Sequence, residues 1–143
     1  MPAPAFMPTN LEHLGLAVHD LEAATALYTA LLGEGPYKRE HVTTEAVDTV
    51  FFRVGNSKIE LLAATSPDSA IHKYLDKKPE GIHHVAFEVT DIRAEMARLR
   101  AAGFTLLSDE PKPGADNKWV CFIHPKSANG VLVELCQDRG ADA

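Results

Sequence analysis

The sequence predicts an α+β protein built from two tandem βαβββ modules. Three observations predict it. A strand-like segment with a histidine at its head occurs twice, at 11–18 and 82–89; each copy is followed by an aspartate and an amphipathic run; and each run is followed by β-like segments in the same order. Recurrence of order, type and spacing points to internal duplication.

The first copy reads Leu11-Glu12-His13-Leu14-Gly15-Leu16-Ala17-Val18-His19-Asp20, the second Ile82-His83-His84-Val85-Ala86-Phe87-Glu88-Val89-Thr90-Asp91. Asp20 and Asp91 suit helix N-caps, because a carboxylate there accepts from the orphan amides of the first turn. Helices are predicted over about 20–32 and 91–102, with Leu21, Ala24, Leu27, Tyr28 and Leu31, then Ile92, Met96 and Leu99, at helical spacing. Gly33 and Gly103 stand where a C-terminal stop is expected. The first module continues with strands near 37–43, 47–54 and 58–63, and Gly55-Asn56-Ser57 forms a hairpin turn between the last two. The second continues with strands near 104–108, 118–124 and 131–136, with Asn129-Gly130 as a turn. The predicted organisation is an N-terminal arm (1–10), one domain over 11–137, and a C-terminal tail (138–143). Within the domain the modules are 11–63 and 82–137, joined by a linker, 64–81, that holds a short helix from Asp68 to Lys77.

Strand side chains alternate faces. His13, Gly15 and Ala17 oppose Leu14, Leu16 and Val18, while His84, Ala86 and Glu88 oppose Val85, Phe87 and Val89. Glu60 opposes Ile59 and Leu61, and Glu134 opposes Val133 and Leu135. Each module therefore turns an apolar face to its helix and a second face carrying one histidine and one glutamate. His13 and Glu60 are 47 positions apart, His84 and Glu134 are 50, a difference of loop length. Two imidazoles and two carboxylates brought together by a pseudo-twofold form a mixed N/O donor set for Co²⁺, Mn²⁺, Ni²⁺, Zn²⁺ or Fe²⁺. Six-coordination would leave two positions open for chemistry. A single histidine opening a strand is more often structural, and it is the matched set of four that carries the metal reading. His83 falls out of register, and His19, His41, His72 and His124 have no repeat partner.

Composition bounds the remaining classes. A chain of 143 residues with 45% hydrophobic and 24% charged residues is globular rather than disordered. A net charge of −6 argues against nucleic acid as a partner. No apolar run approaches a membrane span, and the first ten residues have no secretion-signal character. Two cysteines, Cys121 and Cys136, in apolar strand-like runs suit buried thiols in a cytoplasmic setting better than a disulfide framework.

The segments His13-Leu-Gly-Leu-Ala-Val, Ile59-Glu60-Leu61-Leu62 and Gly81-Ile82-His83-His84-Val85 resemble the vicinal oxygen chelate superfamily. Ser66-Pro67-Asp68-Ser69-Ala70-Ile71, Asp109-Glu110-Pro111-Lys112-Pro113-Gly114, His124-Pro125-Lys126-Ser127 and Gly130-Val131-Leu132-Val133-Glu134-Leu135 resemble, within it, the methylmalonyl-CoA epimerase family. The resemblance spans about 10–137. It implies a curved mixed sheet of paired βαβββ modules around a divalent metal, typically Co²⁺, with His13, Glu60, His84 and Glu134 as ligands. It implies epimerisation at C2 of a methylmalonyl thioester of coenzyme A, an acyl-CoA substrate, and a homodimer. Some family members carry glutamine at the position of Glu60 and a separate glutamate on the strand matching 47–54, where this chain has Thr49. Glu60 and Glu134 are therefore expected to double as proton-transfer bases, with Asp48 and Glu45 as weaker candidates for the second. Lys126 is the leading candidate to meet the anionic carrier, ahead of Lys112, Lys118 and Arg39. The rival readings are a glyoxalase I-type isomerase, an extradiol dioxygenase, and a metal-free small-molecule-binding resistance-type module; the last would call for a pocket richer in aromatics than a 7% aromatic chain suggests.

Overall fold

A computed structural model describes residues 8–140. The proposed arm over 1–7 and the last three residues of the tail lie outside them. The chain divides into two compact units, one of residues up to Glu12 together with those from His84 on, the other His13–His83.

In the His13–His83 unit, β1 (Asn10–Ala17, which begins in the other unit), α1 (Leu21–Leu32), β2 (Lys38–Val42), β3 (Val47–Val54) and β4 (Ser57–Ala64) follow in order. The strands lie in the order β2-β3-β4-β1, antiparallel except for the parallel β1–β4 pair. A parallel pair needs a long crossover, which α1, β2 and β3 provide here. Asp20 caps α1 by accepting from the Ala23 amide at 3.0 Å. Gly33, at φ 77°, ends it in the left-handed conformation that glycine adopts without steric cost. Leu21, Ala24 and Tyr28 dock the helix on Leu16, Val50, Phe52 and Leu61; burying each large apolar side chain stabilises by about 1.5–3 kcal/mol. Leu27 and Leu31, expected on that stripe, are 64% and 69% exposed. α2 (Ala70–Lys77) packs against β4. It starts later than expected, because Ser69 rather than Asp68 forms the cap, its Oγ accepting from the Ile71 amide.

The other unit repeats the plan with β5 (Gly81–Glu88, whose first three residues belong to the His13–His83 unit), α3 (Ile92–Ala101), β6 (Lys112–Gly114), β7 (Lys118–Ile123) and β8 (Val133–Asp138). The order is β5-β8-β7-β6, again with one parallel pair, β5–β8. Asp91 caps α3 as Asp20 caps α1. Ile92, Met96 and Leu99, spaced i, i+4, i+7, bury against Cys121, Ile123 and Leu135.

Two expectations are corrected. Residues 104–108 form no strand; Leu106 makes a single bridge to Ile123, and with Phe104 it packs onto the core. The corresponding strand is β6, only three residues long, whose Pro113 is tolerated because β6 is an edge strand. The final strand starts at Val133, not Val131, after a one-turn 3-10 helix at Pro125–Ser127 and left-handed Asn129 and Gly130. No helix among the described residues is long and apolar enough to cross a membrane.

Candidate metal centre

In each unit the strand pairing sets a histidine diagonally across from a glutamate. On β1 and β4, Gly15 pairs with Glu60, so His13 lies two residues before Glu60's partner. On β5 and β8, Ala86 pairs with Glu134, so His84 lies two residues before Glu134's partner. The duplication thus extends to register, with a glycine or alanine beside each carboxylate to leave space above the sheet.

His13 Nδ1 lies 3.0 Å from Glu60 Oε2, with the side chains 5% and 6% exposed. His84 Nε2 lies 3.4 Å from Glu134 Oε1, at 7% and 9%. Ligands about 2.1 Å from a first-row ion stand about 3.0 Å apart at right angles and about 3.4 Å apart in a tetrahedron. Each pair therefore has the donor types and the spacing of two adjacent ligands of one ion. His84 is held edge-on by Phe122, with centroids 5.6 Å apart at 87°, and Phe122 is the β7 partner of Glu134. Beside this pair, Ala86, Val120 and Cys136 form a buried apolar patch.

The remaining histidines have other settings. His83 stacks edge-on against Tyr74. His41 meets Asp48 at 2.9 Å, His72 meets Asp76 one helical turn on, and His124 Nδ1 accepts from the Lys126 amide. His19 is exposed, and its amide donates to Glu80.

Asp48 alternates with Thr49 on β3, which puts its His41 pair on the face opposite Glu60, and Glu45 is exposed in a 3-10 turn. Thr49 shares the face of Glu60, fully buried, and its hydroxyl has no hydrogen-bond partner among the described residues. Of the cations expected near an anionic ligand, Arg39 is committed to Glu22, whose hydrogen bond raises the guanidinium pKa further. Lys112 and Lys118 lie on β6 and β7, and Lys126 lies in the 3-10 turn after β7. Phe122 as the prop of His84 escapes sequence reasoning, because a cross-strand neighbour is visible only once register is known.

A family model for the glyoxalase/bleomycin resistance protein/dioxygenase superfamily matches residues 12–122. An ethylmalonyl-CoA/methylmalonyl-CoA epimerase of Cereibacter sphaeroides is 46% identical over 130 residues, covering 90% of this chain and 97% of the relative. The solved methylmalonyl-CoA epimerase of Mycobacterium tuberculosis superposes with a TM-score of 0.92 at 35% identity, covering 100% of this chain and 97% of that one. A variant of the Streptomyces coelicolor methylmalonyl-CoA epimerase, in complex with 2-nitronate-propionyl-CoA, superposes at 0.90 with 35% identity, over 94% and 100% of the two chains.

Proposed function

The chain belongs to the glyoxalase/bleomycin resistance protein/dioxygenase superfamily, and within it we propose that the protein is a metal-dependent epimerase interconverting the C2 epimers of methylmalonyl-CoA. The observation that carries the reading is the repeated pair: one buried imidazole and one buried carboxylate, 3.0–3.4 Å apart, at the same register position in each unit. Relatives that cover nearly the whole chain and act on methylmalonyl-CoA support the substrate.

In this reading His13, Glu60, His84 and Glu134 together hold one divalent cation, for which Co²⁺ is our first choice. When bound, the cation supplies positive charge against the negative charge that develops on the acyl oxygens as the C2 proton leaves. The proton transfers belong to the protein. Inversion at C2 requires removal of the proton from one face and delivery from the other, so two groups must exchange roles. Glu60 and Glu134 are those groups: one carboxylate oxygen takes the C2 proton, and the other glutamate, protonated, returns one to the opposite face. The burial of both glutamates keeps bulk water from quenching the carbanionic carbon. Phe122 fixes the ring of His84, and through it the orientation of that donor. Two buried free thiols fit a reducing, cytoplasmic compartment.

The test is turnover of one pure C2 epimer in D₂O by protein reconstituted with Co²⁺, set against turnover of a hemithioacetal. Inversion with deuterium at C2 is expected. Hemithioacetal isomerisation without C2 exchange would assign the same donors to the glyoxalase I reaction instead.

A further inference from the structure

The strand registers of the His13–His83 unit draw a map of the face that carries His13 and Glu60. One cross-strand row holds His13, Lys58 and Arg53, and the next holds Gly15, Glu60, Phe51 and Lys38. An acidic chain has thus gathered three cations within two rows of a candidate metal-ligand pair.

Two of these cations are fixed over aromatic rings. The Arg53 guanidinium lies 4.7 Å from the centroid of Tyr37, and Lys38 Nζ lies 5.7 Å from that of Phe51. The two rings are themselves 5.9 Å apart, and the Tyr37 amide donates to the Phe51 carbonyl at 2.9 Å, which ties the platform to β3. Phe51 is fully buried, whereas Tyr37 is 41% exposed. Lys38 shares its charge with Glu40 at 3.2 Å. Arg53 is exposed and has no carboxylate within ion-pair distance among the described residues. Arg39, next to Lys38 on β2, shows the contrast: it alternates onto the other face of the strand and is neutralised by Glu22.

A guanidinium stacked on a ring keeps its edge N–H groups free for a phosphate fork, and its stacked face has already shed water. Arg53 stands two strands from His13, about 10 Å across the sheet. That separation suits a ligand whose anionic end is carried well away from its reacting carbon. We propose that Arg53, stacked on Tyr37 and assisted by Lys38, is the seat for the phosphate groups of a coenzyme A thioester whose acyl end lies at His13 and Glu60. The proposal rests on the epimerase reading for its ligand, but the cation–aromatic platform belongs to this unit alone.

The experiment has a binding arm and a kinetic arm. Isothermal titration of the metal-loaded protein with coenzyme A is expected to show a Kd raised about tenfold in Arg53→Gln, only partly restored in Arg53→Lys, which keeps the charge without the fork, and raised less in Lys38→Gln because Glu40 already shares that charge. In the kinetic arm Arg53→Gln raises KM for methylmalonyl-CoA by a similar factor, while KM for the pantetheine thioester, which lacks the nucleotide phosphates, does not rise with it. Coenzyme A affinity unchanged within twofold in Arg53→Gln overturns the seat. So does an equal rise in KM for both thioesters. Wild-type protein that binds coenzyme A in an Arg53-dependent way but inverts neither thioester retains the seat and refutes the epimerase reading.

Discussion

Replacing Glu60 by glutamine separates the two duties assigned to that side chain. Its Oε2 lies 3.0 Å from His13 Nδ1, and the carboxylate is only 6% exposed. Glutamine keeps the shape and one carbonyl oxygen, so the site retains four donors, but it carries no charge and cannot accept a proton from carbon. A positioned acid/base contributes about 10²–10⁴ in rate, or about 3–5 kcal/mol of barrier at 1.36 kcal/mol per decade. Metal content is measured first by elemental analysis, and rates are then taken at saturating Co²⁺. Epimerisation of Glu60→Gln is expected to fall at least a hundredfold. Deuterium exchange at C2 is expected to persist for one epimer only, the one whose proton faces Glu134. Metal retained with inversion within twofold of wild type would refute the assignment of Glu60 as a base.

Ala86 is fully buried beside Glu134, so Ala86→Val overfills that space; we expect a loss of about 1–3 kcal/mol in denaturant unfolding together with weaker metal binding. A Cβ on Gly114 would come within 2.8 Å of Val120 Cγ1; Gly114→Ala should therefore destabilise by about 1–3 kcal/mol, and Val120→Ala in the same chain should recover part of that loss in a double-mutant cycle. Burial pushes the Cys121 thiol above its ordinary value of 9.0, only partly opposed by the hydrogen bond from Ser108. The folded state therefore favours the neutral thiol. That advantage is complete below the unfolded value and is lost as pH rises toward the folded one, so the thermal midpoint of the wild type should fall more steeply above about pH 9 than that of Cys121→Val.

The fold was legible where repetition amplified a weak signal. Asp20 and Asp91 cap as expected, and β3 and β4 fall within a residue of their predicted bounds, because the hairpin glycine and the alternation agree. What escaped had local chemistry pointing elsewhere. Phe104 and Leu106 alternate like a strand but are drawn into the core by α3, while the strand at Lys112–Gly114 is too short and too rich in poor β-formers to be seen. In α1 the apolar stripe overstated burial, since periodicity does not report how far a helix sinks into its sheet. At the candidate site, the four donor residues followed from parity and spacing, whereas the neighbours that shape it, Gly15 opposite Glu60, Phe122 against His84 and Arg53 over Tyr37, depend on cross-strand register.

Whether the two repeated pairs share a single ion is decided by metal stoichiometry. Apo protein titrated with Co²⁺ should bind one ion per chain, and His13→Ala and His84→Ala should each abolish high-affinity binding while leaving the far-ultraviolet circular dichroism unchanged. Two ions per chain, each removed by only one of the substitutions, would make the units independent sites and leave no shared centre for the two bases.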